Sequence, residues 1–150
     1  MKKMGDGVFL VYLKTSFLTC VNKEDLIKTH KMYQFRRNID YTYLDEVYGG
    51  ERDIISMMMG VFLSDTVPSW ESVAPLLANQ NFVTAGQVVH RIKPSFTMIG
   101  LQDFHEPVQA LEHALKQGAA TSVILDLHKL ITEELSQVVP QIEAYLAEEA

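Results

Sequence analysis

At 150 residues the chain has room for one domain, which at this size buries roughly 70% of its unfolded surface and needs no staples to hold a core. With 47% hydrophobic and 21% charged residues the composition is that of a globular protein. Thirteen basic against nineteen acidic side chains leave a net charge of −6, which argues against a nucleic-acid partner. The single cysteine, Cys20, excludes an intramolecular disulfide and a cysteine-built zinc site.

The charge is unevenly divided. Residues 1–40 hold eight Lys/Arg and four Asp/Glu; residues 41–150 hold five and fifteen. A break of this kind predicts two segments of different character. In the first, two short apolar, β-favouring runs, Val8 to Leu13 and Thr15 to Val21, flank Lys14. Neither approaches the roughly 20 apolar residues of a membrane span. Lys2 and Lys3 mimic the start of a signal peptide, but no small-residue cleavage site follows Cys20. The expectation is a cytoplasmic protein with no membrane association. Residues 22–31 are predicted to form a short helix capped by Asn22. The sequence changes character at Met32, a candidate natural start. Residues 1–38 are therefore expected to be an N-terminal extension, loose or not native, and residues 39–150 the folded domain.

From residue 40 onward the spacing is helical. Asp40 or Thr42 is predicted to cap a short helix ending at Tyr48, before Gly49-Gly50. A long helical stretch follows from Arg52 to Ala78, with Ile54, Ile55, Met58, Val61, Phe62, Val73, Leu76 and Leu77 at helical spacing. Pro68 either kinks it or starts a second helix. Met57-Met58-Met59, Phe62 and Trp70 are expected in the core. After the turn at residues 79–81, a third helix runs from Phe82 to Ile99 and stops at Gly100. Asp103 is predicted to cap a fourth, with Pro107 in its first turn and Gly118 at its end. A fifth runs from Thr121 or Ser122 to about Ala147. Short connections between such helices favour an all-α, antiparallel up-and-down four-helix bundle with a short extra N-terminal helix.

The third helix carries the chemistry. Ala85, Val88, Val89, Ile92, Phe96 and Ile99 trace one apolar stripe. The other face reads Gly86, Gln87, His90, Lys93, Pro94 and Thr97. That spacing turns His90 toward solvent, with the Lys93 cation one turn above it. Gly86 and Pro94, both weak helix formers, bracket the imidazole with compact residues, consistent with access for a large partner.

The run His90-Arg91-Ile92-Lys93-Pro94-Ser95-Phe96-Thr97-Met98-Ile99-Gly100 resembles the signature of histidine-containing phosphotransfer (HPt) domains: a phosphorylated His, then Lys three on, a small residue four on, Ser five on and Gly ten on. The flanks agree. Tyr43-Leu44-Asp45-Glu46-Val47-Tyr48-Gly49-Gly50 looks like the family's first segment, Phe62-Leu63 with Pro68 like its second helix, and Leu111-Glu112 like the leucine-glutamate of its fourth. The resemblance covers roughly residues 40–148. It departs at Pro94, where the family most often has glycine; proline removes the hydrogen bond back to the His90 carbonyl and alters the angle at which a partner docks.

The resemblance implies a phosphorelay protein in two-component signal transduction. His90 would be the phosphoacceptor, attacking the aspartyl phosphate of a response-regulator receiver domain, and a hybrid histidine kinase would be the other partner. A free imidazole is mostly neutral, hence nucleophilic, at cytoplasmic pH. Lys93 would stabilise the phosphoryl group, and Gln87 would hydrogen-bond to the phosphate or orient the ring. Gly86, Pro94 and Thr97 would leave access, and Gly100 would end the helix. Arg91 would be a rim charge. No bound cofactor or metal is expected: Mg²⁺ would come with the receiver, because no carboxylate cluster is evident beside His90. With no Gly-rich nucleotide motif, the chain would have no ATP-dependent kinase activity of its own. The absence of a long heptad repeat favours a monomer. The alternative is an HPt-like helical adaptor that binds a receiver or kinase without accepting phosphate. A metal-binding bundle would need inward carboxylates and histidines that the pattern lacks, and His105, His113 and His128 match no such signature.

Overall fold

The computed structural model describes residues 8–11, 19–22, 33–36 and 38–149. Its first elements are two strands, β1 (Val8–Val11) and β2 (Thr19–Asn22), paired antiparallel with Val8 opposite Asn22 and Val11 opposite Thr19. The all-α expectation therefore holds for residues 41–149, not for the N-terminal segment, where the β-favouring runs pair as a two-stranded ribbon. The helix expected over residues 22–31 lies, apart from Asn22, outside the described residues.

From residue 41 the chain is helical. Helix α1 (Tyr41–Tyr48) is capped by Asp40, whose carboxylate accepts from the Tyr43 amide at 3.0 Å, and Gly49 closes it in the left-handed conformation. The long helical stretch is divided, and Pro68 starts a new helix, one of the two alternatives its position offers. Helix α2 (Arg52–Val61) widens into a π-turn (Phe62–Thr66), followed by α3 (Val67–Glu71) and α4 (Val73–Ala78). Pro68 explains the division: it has no N–H to give and its ring would collide with the Ser64 carbonyl in a regular helix. The wider turn, with the Val67 amide reaching back to Phe62, removes that collision and leaves Pro68 in the first turn of α3.

Helix α5 (Phe82–Met98) is capped by Asn81 and runs uninterrupted through Pro94. Its end is closed by the Leu101 amide on the Phe96 carbonyl and by Gly100 at φ +81°. Helix α6 (His105–Gln117) ends at Gly118, and α7 (Thr121–Glu149) is the longest element. Asp103 does not cap α6. It sits in a 3₁₀ turn (Gln102–Phe104), and its carboxylate accepts from the Arg36 amide at 2.9 Å and from the Arg36 guanidinium at 3.1 Å. Phe35 meets Phe104 edge-on at 5.0 Å. Residues 33–36 thus belong with the helical unit, and a boundary at 38/39 cuts through its contacts.

Helix α5 packs on α6, α6 on α7, α7 on α2, and α4 on α5. The core centres on Phe96, fully buried between Phe62, Trp70 and Phe104 with ring centroids 5.5, 6.4 and 5.3 Å away. Trp70 also stacks on His128 and donates to the Thr132 hydroxyl at 3.0 Å. Of the methionine run, Met59 is buried and Met58 half-buried, but Met57 is 60% exposed. Three consecutive residues span about 200° of a helix and cannot share one face.

Candidate functional site

The apolar stripe of α5 is buried as its spacing requires: Ala85, Val89, Ile92, Phe96 and Ile99 lie in the core and Val88 is half-buried. The aromatic cluster on Phe96 anchors that stripe and turns the other face of α5 outward. The His90 side chain is 65% exposed there. Arg91, beside it, donates to the Ser69 hydroxyl at 2.8 Å and lies 3.6 Å from Asp65, bracing α5 against α3 and the π-turn.

His90 has a partner on the neighbouring helix. Its Nδ1 lies 2.6 Å from Oε2 of Glu112, on α6. The Lys93 ammonium lies 2.8 Å from Oε1 of the same carboxylate, and the Lys116 ammonium 2.7 Å from Oε2. One buried carboxylate, with a side chain 3% exposed, thus gathers three donors. Burial alone would push the Glu112 carboxyl up. The hydrogen bonds from Lys116, Lys93 and His90, with the charge of Lys93, outweigh burial and hold it down at about 2. Glu112 is therefore ionised at neutral pH and only accepts. Nδ1 must carry the proton it shares with Glu112, which leaves the lone pair of a neutral imidazole on Nε2.

The other residues singled out by sequence divide. Lys93 is 22% exposed and held by Glu112. Gln87, exposed one turn before His90, stands outside the Glu112 cluster. Pro94 is exposed, Thr97 half-buried, and Gly100 ends the helix. Gly86, expected to keep the approach to His90 open, is buried instead. It faces α6, where a Cβ would meet the Leu115 Cβ at 3.5 Å. That is an ordinary van der Waals distance, so the contact has room for a methyl group. Val83 and Met98 are exposed seven residues before and eight after His90, so they share its face.

Glu112 is the residue that reading α5 alone missed. One carboxylate lies beside His90, supplied by a different helix. Its sequence signal was the Glu112–Lys116 pair at i, i+4. Among the described residues no three His, Cys, Asp or Glu side chains gather to hold a metal ion, and no helix is long and apolar enough to cross a membrane. Comparison of the chain with family models, curated proteins and solved structures finds no match in any of the three.

Proposed function

We propose that this chain is a histidine phosphotransfer protein, built as an HPt-type four-helix bundle, that carries a phosphoryl group on Nε2 of His90 between receiver-domain aspartates in a cytoplasmic phosphorelay. The observation that carries the reading is the 2.6 Å contact between Nδ1 and Glu112. It supports a ring fixed in orientation, with Nδ1 engaged by the carboxylate and Nε2 left on the solvent side.

The chemistry follows from the neutral tautomer with Nδ1 protonated. The Nε2 lone pair attacks the phosphorus of an aspartyl phosphate. A P–N bond forms, the P–O bond to the aspartate breaks, and the leaving group is a carboxylate. No proton moves: Nδ1 keeps its hydrogen, and the ring takes on positive charge as the phosphoryl group arrives. Glu112, already hydrogen-bonded to Nδ1, stabilises that charge where it develops, as an orienting carboxylate does for a catalytic imidazole. Lys93 is one turn from His90 on the same face and meets the negative charge spreading over the phosphoryl oxygens. Mg²⁺ would arrive with the acidic pocket of the receiver. The exposed apolar residues Val83 and Met98, on either side of His90, offer a partner a docking surface, and Pro94 sets its angle of approach.

The test is transfer from phosphorylated receiver domains to the wild-type chain and to His90→Gln, followed as acid-labile label. Uptake by the wild type alone is the expected result. Binding without uptake by the wild type would sink the relay reading and leave an HPt-like adaptor.

A further inference from the structure

Residues 41–150 hold five cations against fifteen acidic side chains. Arg52 pairs with Glu149, Arg91 braces α3, and Lys129 is fully buried in α7. The remaining two, Lys93 and Lys116, converge on Glu112 from different helices. One carboxylate balances one ammonium, so with a neutral imidazole the site carries a net charge of +1 within an acidic surface. Lys93 has Oε1 to itself. Lys116 shares Oε2 with His90, which places its ammonium within two hydrogen-bond lengths of Nδ1. Its side chain is 57% exposed on a flexible four-carbon stem.

We propose that Lys116 is a second phosphoryl-binding cation, released from Glu112 to the phosphate when His90 is phosphorylated. The inference rests on His90 being the phosphoacceptor. When the ring gains positive charge, its Nδ1–H claims Oε2 more strongly, and the competing ammonium on that oxygen is displaced. The phosphoryl oxygens on Nε2 are the nearest new negative charge. In the exchange Lys116 leaves one anion for another around the same ring, swinging on its exposed stem. Lys93 and Lys116 then flank the phosphate from α5 and α6, while Glu112 remains on the imidazolium.

The experiment uses the full chain with phosphoramidate, a small P–N phosphoryl donor, so that no partner protein is required. Formation and hydrolysis of phosphohistidine are followed by ³¹P NMR in the wild type, Lys116→Met, Glu112→Gln and the double variant. Circular dichroism confirms that each is folded. A direct phosphate contact predicts that Lys116→Met slows labelling about 5- to 20-fold. It also predicts that the loss persists when Glu112 is already Gln, because the lysine acts on the phosphate and not through the carboxylate. A loss seen only when Glu112 is intact, or no loss at all, overturns the proposal. If the wild type takes no label on His90, the phosphoacceptor reading falls and this inference falls with it. Labelling of the wild type with an unchanged Lys116→Met rate rejects the inference alone.

Discussion

Glu112 is a buried anion held by contacts with His90 and Lys116 on Oε2 and by an ion pair with Lys93 on Oε1, and its position is what separates His90 from an ordinary surface histidine. Replacing it with Gln keeps the shape and removes the charge. On the proposed function, phosphoryl uptake at neutral pH should fall roughly 10- to 100-fold, the usual effect of losing the partner that orients a working imidazole. Stability should respond as well. The carboxyl is lowered from its ordinary value of 4.5 to about 2, so its contribution is complete above about pH 4.5 and is lost as pH falls through about 2. The difference in unfolding free energy between wild type and Glu112→Gln, measured by denaturant titration, should be largest above pH 5 and shrink toward pH 2. A gap that stays constant over that range would mean that the charge of Glu112 contributes nothing to the fold.

At the scale of elements, caps, breakers and the packing of sequential helices are legible, and the register of one helix against the next is not. Asp40, Gly100 and Gly118 sit where their chemistry predicts. Asp103 also had a capping pattern, but Arg36, 67 residues away in sequence, took its carboxylate. Local rules cannot see a partner of that kind. Glu112 escaped for the same reason: periodicity shows which face of α6 is buried, but not which rung of α5 it meets. Pro68 was legible as a disruption, and its resolution into a π-turn depended on the packing of α2 and α3. Gly100 gives a sharp test. At φ +81° a Cβ there would lie 3.0 Å from the Asp40 carbonyl oxygen, and the Asp40 amide donates to the Gly100 carbonyl. Gly100→Ala combines a left-handed backbone with a crowded contact and should cost more than about 1 kcal/mol. Thermal unfolding would measure it, and an unchanged melting temperature would contradict the geometry.

For the molecule as a whole, a second buried group, on α7, adds to the dependence of stability on pH. His128 stacks on Trp70 with ring centroids 4.8 Å apart, and burial lowers its pKa to about 3. The unfolded chain takes up this proton below about pH 6.5, and the folded chain resists until about pH 3. Stability is therefore full above pH 6.5 and declines as pH falls toward 3, by up to about 1.4 kcal/mol per pH unit from this residue. In His128→Phe, which keeps an aromatic ring against Trp70, the decline from pH 6.5 to 5 should flatten. Melting curves of both proteins across that range decide it, and parallel curves would clear His128 of the role. The charge division visible in the sequence corresponds to a change from a β ribbon to helices, but the folded unit reaches back at least to Tyr33, which packs against the core. Composition marks where the chain changes character; contacts mark where the fold begins.

The contact between Nδ1 and Glu112 also bears on the covalent product. An unfolded chain offers both imidazole nitrogens to a phosphoryl donor and would yield a mixture of two isomers. With α5 and α6 assembled, one nitrogen is engaged and the other open, so on the proposed function a single isomer forms. The isomer ratio in a labelled sample is thus a chemical record of whether these two helices were together when the phosphate arrived.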